Sequence, residues 1–392
     1  MKLIIEPDDG VQPLLTAIKN AKKSVEIAIF RFDRKDVELA LKGAALAKGV
    51  RVTALIASAN RGGETRLRSL ELRFLEAGII VARSATDLVR YHDKYVLIDR
   101  RTLYLLSFNF THLDIDHSRG FGIVTTNAGW IREAVRLFRA DCARTTYAAK
   151  IDTFVVSPSN SRKVLGDFLR RAKKQLLIYD PKIGDKEMLR ILSERAKAGV
   201  QIKVIGAVAG RNSFDVQKLR SRRLHTRTII RDRRQAFVGS QSLRPAELDS
   251  RRELGLIVQD AKAVRKLIET FEADWTPAVA KKALVSKQRK GTAKGPAGVS
   301  KREAEKVAEK VAEQKAEKED DKAERAVQVL TKELDPLATT VKKAVRKAVA
   351  KAGEDVLNDE NVKDTMKKVV KRAVKEAVKE AAQQAQDDKA PG

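Results

Sequence analysis

The sequence has little of several residue types on which common classes of protein depend. Among its 392 residues there is one cysteine, Cys142, which excludes a disulfide framework and a cysteine-rich metal site. No run of about eighteen apolar residues occurs, so no transmembrane helix is predicted. The first residues, MKLIIEPDDG, carry Asp-Asp-Gly where a secretory signal needs a longer apolar segment. These features predict a cytoplasmic protein that is either soluble or peripheral to a membrane.

What the chain has in excess is positive charge. Its 80 basic and 52 acidic residues give a formal net charge of +28. Residues 281–392 contain 28 basic and 20 acidic residues, so most of the net charge belongs to the part of the chain before them. Such a surface attracts phosphate-rich partners, but charge alone does not choose between nucleic acid and anionic lipid headgroups.

The sequence also contains an internal duplication. Ala21-Lys22-Lys23 recurs as Ala172-Lys173-Lys174 at an offset of 151, and His92 recurs as His225 at an offset of 133. The offset of 133 persists to the end of each copy, where Phe138 and Asp141 match Phe271 and Asp274. Because the offset falls from 151 to 133 along the copies, the first copy contains about seventeen residues that the second lacks. They lie within residues 58–78, where a loop or lid is expected.

The copies and the segment after them predict the domain organisation. Each copy reads as helix, β-branched strand, second helix and strand, followed by the histidine strand, its neighbour and a closing helix, which predicts an α/β/α sandwich made twice. The expected halves are residues 1–150 and 151–275. Residues 276–300 read as a basic linker, and residues 301–392 as an Ala/Lys/Glu-rich helical tail that forms a mobile arm. Contact of that tail with DNA or anionic lipid is a second interpretation.

Polar side chains that suit a phosphate group follow the two histidine strands. Because side chains two apart on a strand share a face, each copy presents an imidazole, a cation and two neutral hydrogen-bonding groups on neighbouring strands. These sets are His92, Lys94, Ser107 and Asn109 in the first copy, and His225, Arg227, Ser240 and Ser242 in the second. Asp99 and Asp232 lie seven residues after their histidines, an odd spacing that places them on the other face or in a turn.

Two such half-sites, brought together, would provide what the cleavage of a phosphodiester needs. One histidine can attack phosphorus to form a covalent phospho-histidine, while the other protonates the leaving oxygen and then activates water or an alcohol. The cations would neutralise the non-bridging oxygens, aided by the amide and hydroxyl groups. This chemistry requires no metal and no other cofactor.

The pattern His-x-Lys-x4-Asp, followed by Ser-x-Asn, resembles the signature of the phospholipase D superfamily. Two copies in one chain resemble its phospholipase D and cardiolipin-synthase-like bacterial members, over about residues 1–275. The resemblance implies that the two histidines act as nucleophile and general acid, and that an acidic residue further along orients a histidine. The catalytic set that it implies is His92, Lys94, Asp99, His225, Arg227, Asp232 and Glu253, with Ser107, Asn109, Ser240 and Ser242 as phosphate ligands.

The chain departs from the family pattern at several positions. Gly120 stands where the second copy has Glu253, so His92 is expected to lack its carboxylate unless Asp114 or Asp116 replaces it. In the second copy, Arg227 replaces lysine and Ser242 replaces asparagine, and in the first copy leucine replaces the glycine before Ser107. Arginine keeps the charge and binds phosphate well, but it is larger than lysine.

The sequence leaves three functions open. The first is a metal-independent phosphodiesterase or phosphatidyltransferase that acts on phospholipids at an anionic membrane surface. The second is a metal-independent nuclease of the same superfamily, with nucleic acid bound by the basic tail. The third is a weakly catalytic protein that binds phosphate or DNA. Because both halves lie in one chain, a monomer could hold a complete site.

Overall fold

The structure, a computed structural model, describes residues 1–47, 49–58 and 64–275. The expected linker and tail, residues 276–300 and 301–392, lie outside the described residues, so the predictions made for them stay predictions. In the described part, two mixed sheets are covered by helices, which confirms the predicted α/β class. Every helix in these ranges is too short or too polar to cross a membrane.

The first sheet is built from the first copy. Its strands follow the order β1 (Lys2–Glu6), β8 (Ser118–Thr125), β7 (Thr102–Leu106), β6 (Tyr95–Ile98), β2 (Ser24–Ile29), β3 (Arg51–Ile56) and β4 (Ile80–Arg83). The helices of this half are α1 (Gln12–Lys19), α2 (Lys35–Leu46), α3 (Glu64–Glu76), α4 (His112–His117) and α5 (Ala128–Ala143). Strand β6 is buried on both faces and accordingly reads as the continuous apolar run YVLI.

The second sheet repeats this topology. Its strands follow the order β9 (Phe154–Ser157), β16 (Arg251–Val258), β15 (Gln235–Gly239), β14 (Arg227–Arg231), β10 (Gln175–Ile183), β11 (Gln201–Val208) and β12 (Asp215–Gln217). The helices are α6 (Ser161–Arg170), α7 (Lys186–Lys197), α8 (Pro245–Asp249) and α9 (Ala261–Trp275). The two strand orders are the same when equivalent strands are compared, so the duplication seen in the sequence is a duplication of the fold.

The extra residues of the first copy form a helix. Leu67, Leu70 and Phe74 of α3 are buried in the apolar core of the first half. The expectation of a loop or lid is therefore wrong for the residues of α3, because three apolar side chains at helical spacing are packed against the sheet. Residues 59–63 lie outside the described ranges.

The two halves are joined by a short exchange of strands. Strand β5 (Arg90–Tyr91) of the first half pairs in parallel with β16, and strand β13 (Arg223–Leu224) of the second half pairs in parallel with β8. Each exchanged strand directly precedes a histidine of the motif. The duplication thus places the two histidine segments on opposite sides of one seam.

One apolar core lies between the sheets and draws on both halves. Phe121 of the first half contacts Tyr179 of the second, with ring centroids 5.5 Å apart. Two buried ion pairs cross the same interface in equivalent positions: Arg119 with Asp274, and Arg252 with Asp141. The halves therefore share a core within the described residues.

Candidate active site

Each motif histidine is held by the backbone of the opposite half. The backbone N–H of His92 donates to the carbonyl oxygen of Arg252 (2.8 Å), and that of His225 donates to the carbonyl oxygen of Arg119 (3.1 Å). Both side chains are buried, with 6% and 4% of their surface exposed. These bonds continue the exchanged strands β5 and β13, so the sheet pairing itself fixes where the histidines lie.

The carboxylates nearest to the histidines are exchanged in the same way. Nδ1 of His92 lies 2.9 and 3.0 Å from the two carboxylate oxygens of Glu253, which belongs to the second half. Nδ1 of His225 lies 3.2 Å from Oδ2 of Asp114, which belongs to the first half. The expectation that His92 lacks a carboxylate is therefore wrong, because its partner comes from across the seam. Asp116 pairs with Arg34 instead.

The glycine at position 120 is explained by a neighbouring aromatic ring. A Cβ atom at Gly120 would lie 2.7 Å from Cδ1 of Phe108, a buried residue. A carboxylate side chain does not fit there unless Phe108 moves. The first half instead supplies its acid from α4, and the sequence held a signal for it: Asp114 matches the acidic residue Glu247 at the offset of 133.

Asp114 is kept ionised by its surroundings. Its Oδ2 accepts the backbone N–H and the side-chain amide of Asn109, and its Oδ1 accepts Nη1 of Arg223 at 2.6 Å. Burial opposes ionisation, but the charges of His225 and Arg223 and the hydrogen bonds from Asn109 outweigh it, so the pKa of Asp114 lies below its usual value. His225 therefore faces a fixed negative charge.

The acid that faces His92 is in a different state. Burial raises the pKa of Glu253 to about 7, although the charges of Lys94 and Arg251 oppose the shift. The pKa of His92 lies well below its usual value because of burial and the nearby cations, Lys94 foremost. At neutral pH the His92 ring is thus uncharged and sits between a carboxyl group on Nδ1 and a lysine, with Nζ of Lys94 2.8 Å from Nε2 and 3.0 Å from Nδ1.

The two half-sites share one electrostatic environment. Both Lys94 and Arg227 are close enough to each histidine to lower its pKa, together with burial. Burial also lowers the pKa of Lys94, to about 7. The structure therefore brings together two imidazoles, two carboxyl groups and two cations, a set able to bind an oxyanion and to move protons next to it.

The predicted phosphate ligands do not all point toward that set. Hydroxyl groups of Ser107 and Ser240 accept the backbone N–H groups of Phe121 and Leu254, at 2.9 and 3.1 Å. These are equivalent bonds that tie the end of each motif to the next strand. Ser107 and Ser240 thus brace the backbone.

The other two predicted ligands bind groups of the motif. The Asn109 amide donates to the acid that faces His225, at 2.7 Å. The hydroxyl of Ser242 accepts Nε of Arg227, at 3.3 Å. Asn109 and Ser242 therefore hold charged groups of the site in place.

Asp99 and Asp232 lie away from the histidines. Each begins a three-residue hairpin turn, with φ of 55° and 51°, and its carboxylate accepts three consecutive backbone N–H groups. The donors are residues 22–24 for Asp99 and residues 173–175 for Asp232. This confirms the turn predicted from the odd spacing, and it corrects their place in the catalytic set, because these contacts fasten the turn to the start of β2 and β10.

The described ranges contain no group of three or more His, Cys, Asp or Glu side chains arranged to hold a metal ion. His112 and His117, the remaining histidines, lie at the two ends of α4. His112 contacts Asp116 four residues along.

The chain is similar to known proteins in sequence and in fold. The sequence model of the family described as "Cardiolipin synthase, PLD-like domain" matches residues 14–142 and 207–275, which is half of the chain. No curated protein sequence matches significantly.

Solved structures with the same fold include two enzymes that act on different substrates. The polyphosphate kinase of Porphyromonas gingivalis has a TM-score of 0.60 and 20% identity, over 70% of this chain and 50% of that one. The phosphatidylserine synthase of Haemophilus influenzae has a TM-score of 0.53 and 12% identity, over 70% of this chain and 85% of that one. The chain thus spans about half the length of the polyphosphate kinase.

The duplicated fold, the paired histidine motifs and the family match agree with one another. This chain belongs to the phospholipase D superfamily, among its proteins with a cardiolipin synthase-type, PLD-like domain.

Proposed function

We propose that the protein is a phosphodiesterase or phosphatidyltransferase that acts on phospholipids through a covalent phospho-histidine. The observation that carries this proposal is the crossed pairing of the site, in which each histidine contacts a carboxyl group of the opposite half and the charges of Lys94 and Arg227 act on both. The description of the family to which the chain belongs names cardiolipin synthase, which favours a phospholipid substrate.

The differences between the two half-sites support separate roles for the histidines. We assign the attack on phosphorus to His92: when Nδ1–H donates to Glu253, the lone pair of Nε2 becomes available to the substrate once Lys94, which contacts Nε2 at 2.8 Å, turns to a phosphate oxygen. We assign acid–base work to His225: burial lowers its pKa, but the charge of Asp114 opposes that shift, and a bound anionic phosphate would oppose it further.

The reaction then has two balanced steps. Nε2 of His92 forms a bond to phosphorus as the bond to the leaving oxygen breaks, and that oxygen takes a proton from His225. His225 next removes a proton from water or an acceptor alcohol, whose oxygen attacks phosphorus and breaks the bond to His92. Lys94 and Arg227 stabilise the negative charge on the non-bridging oxygens in both steps.

A soluble diester with a p-nitrophenyl leaving group tests the assignment, since this group departs without a proton. The His225→Ala variant should release about one equivalent in a burst and then stall, and the His92→Ala variant should show no burst. Mapping of labelled phosphorus under alkaline conditions should find it on residue 92. A burst from His92→Ala, or label on residue 225, would reverse the roles. The His112→Ala variant is the matched control and should behave like the wild type.

The natural substrate is tested with the full chain in EDTA. We expect headgroup release from vesicles of phosphatidylglycerol or phosphatidylcholine that is lost in His92→Ala and reduced on the order of 10³-fold in Glu253→Gln, whose amide favours the wrong tautomer of His92. If the protein turns over neither kind of vesicle but nicks plasmid or cleaves single-stranded DNA, the phospholipid proposal is wrong and the protein is a nuclease.

The nuclease is the second candidate because of the net charge of +28. It would use the same residues, and its binding would weaken steeply with salt as counterions are released. Binding of DNA or vesicles without turnover of either would leave a phosphate-binding protein.

A further inference from the structure

The second half-site differs from the first at three positions that touch one another. Where the first half has Lys94 and Asn109, the second has Arg227 and Ser242. The third position is Asp180 in β10, whose equivalent in β2 is Ile29: the register pairs Tyr179 with Thr228 in one sheet and Ala28 with Tyr95 in the other. A buried acid is therefore present only where the cation is arginine.

Asp180 is buried, and its carboxylate accepts two backbone N–H groups. Its Oδ2 accepts the backbone N–H of Leu243 at 2.7 Å, and its Oδ1 accepts that of Lys182 at 2.9 Å. Ser242 directly precedes Leu243 in the chain, and its hydroxyl favours the ionised form of Asp180. With 2% of its surface exposed, Asp180 does not reach the cleft itself.

Ser242 links this acid to the cation. Its hydroxyl oxygen accepts Nε of Arg227 at 3.3 Å, and the residue that follows it, Leu243, donates its backbone N–H to Asp180. Nη1 of Arg227 donates to the carbonyl oxygen of His225 at 3.2 Å. The guanidinium is thus fixed along one edge and at one terminal nitrogen, next to the general acid.

The second terminal nitrogen of the Arg227 guanidinium, Nη2, has N–H groups available to bind a ligand. Among the described residues, Nη2 of Arg227 makes no hydrogen bond to the protein, and the residue keeps 8% of its surface exposed. A guanidinium held in this way presents N–H groups in a fixed direction, which suits a phosphate oxygen. The long side chain of Arg227 would otherwise lose much rotational freedom when it binds a ligand.

We propose that Asp180 is a positioning residue, which acts through Ser242 to hold Arg227 ready for a phosphate oxygen of the substrate. Asp180, Ser242 and Arg227 together take the place of the lysine and asparagine of the first half. The inference rests on the proposed function, since it deepens the role of the same site. It predicts that Asp180 matters only while arginine and serine are present.

A thermodynamic cycle tests this coupling, with inorganic phosphate as the probe in titration calorimetry and turnover of the p-nitrophenyl diester as a second readout. In the wild-type chain, Asp180→Asn should weaken phosphate binding and kcat/KM about tenfold, because one carboxylate oxygen becomes an NH2 group, which cannot accept a backbone N–H. In an Arg227→Lys/Ser242→Asn background, which restores the residues of the first half, the same change should alter both by less than about twofold.

Asp185→Asn is the matched control, since Asp185 is a buried acid of the same half that caps α7. It should lower Tm and leave phosphate affinity unchanged. An equal loss from Asp180→Asn in both backgrounds would show that Asp180 is only structural, and a wild-type chain that binds no phosphate would overturn the inference. A coupled loss of phosphate binding without turnover of any diester would leave the inference standing and remove the proposed function.

Discussion

The two buried ion pairs between the halves should differ in their contribution to stability, although they occupy equivalent positions. Arg119 binds Asp274 through two hydrogen bonds of 2.8 and 3.1 Å, and both side chains are buried. Tyr179 also donates to Asp274, at 2.8 Å. Asp8, which is largely exposed, lies 3.2 Å from the same guanidinium.

Removal of one partner from a buried ion pair costs about 3–5 kcal/mol because the other charge is left in the interior. We expect Asp274→Asn to cost about 3 kcal/mol, at the low end of that range, because Asp8 still neutralises part of the charge of Arg119. For a domain of this size, that cost corresponds to a fall in Tm of roughly 6–12 °C.

The equivalent change in the other pair should cost much less. Arg252 binds Asp141 at 2.9 Å, but a second buried acid, Asp93, faces the same guanidinium. The carboxyls of Asp93 and Asp141 each have one oxygen without a hydrogen bond. Asp141→Asn therefore leaves Arg252 with a carboxylate and relieves a repulsion between two acids, so a cost of about 1 kcal/mol or less is expected.

Urea or thermal denaturation of the full chain at pH 7.5 measures both effects. A further variant, Asp93→Asn/Asp141→Asn, removes both carboxylates from Arg252 and should cost about as much as Asp274→Asn, about 3 kcal/mol. Equal costs for the two single variants, or no additional cost in the double variant, would refute the reasoning that the number of buried acids around each arginine sets its contribution.

Two other predictions concern single acids. Burial raises the pKa of Asp93 to about 7, with Asp141 adding to the shift, so between about pH 4 and pH 7 the folded chain keeps a proton that the unfolded chain, with the ordinary pKa of 3.8, has lost. The free energy of unfolding should therefore fall as the pH rises from about 4 to about 7. In thermal denaturation across this pH range, Asp93→Asn should reduce that slope and raise stability at pH 8 by on the order of 1 kcal/mol. Asp99→Asn and Asp232→Asn should each lower Tm by several degrees, since the carboxylates bind backbone N–H groups, and should change kcat/KM for the p-nitrophenyl diester less than about threefold. A loss of turnover comparable to that of His92→Ala, without a change in Tm, would return both residues to the catalytic set.

Much of the fold could be predicted from the sequence because it depends on local patterns and on the comparison of two copies. The constant offset from His92 and His225 to Asp141 and Asp274 identified two halves, and the spacing of two residues predicted that each histidine lies beside its cation, although both histidines lie just outside the strands. The odd spacing to Asp99 predicted its turn. These features depend on the spacing of residues along the chain, which can be read directly from the sequence.

The partners of the histidines could not be predicted in this way. Because Gly120 occupies the position of the acid in the first copy, the sequence predicted that His92 lacks a carboxylate partner. In the structure its partner is Glu253, which lies 161 residues away in the chain. Spacing along a copy gives no information on which groups meet across an interface. The clash that a side chain at position 120 would make with Phe108 is likewise a property of packed neighbours.

The sequence by itself determined the residue types of the site, the duplication and the family, because catalysis needs particular side chains and a repeated fold repeats its pattern. Only the tertiary structure decided which carboxylate faces which histidine, which serines brace the backbone, and that Asp180 binds the backbone next to Ser242, the residue that contacts Arg227. The physical reason is that charge and hydrogen bonding act over a few ångströms in space, and the two halves bring residues within that range only when their sheets share one core.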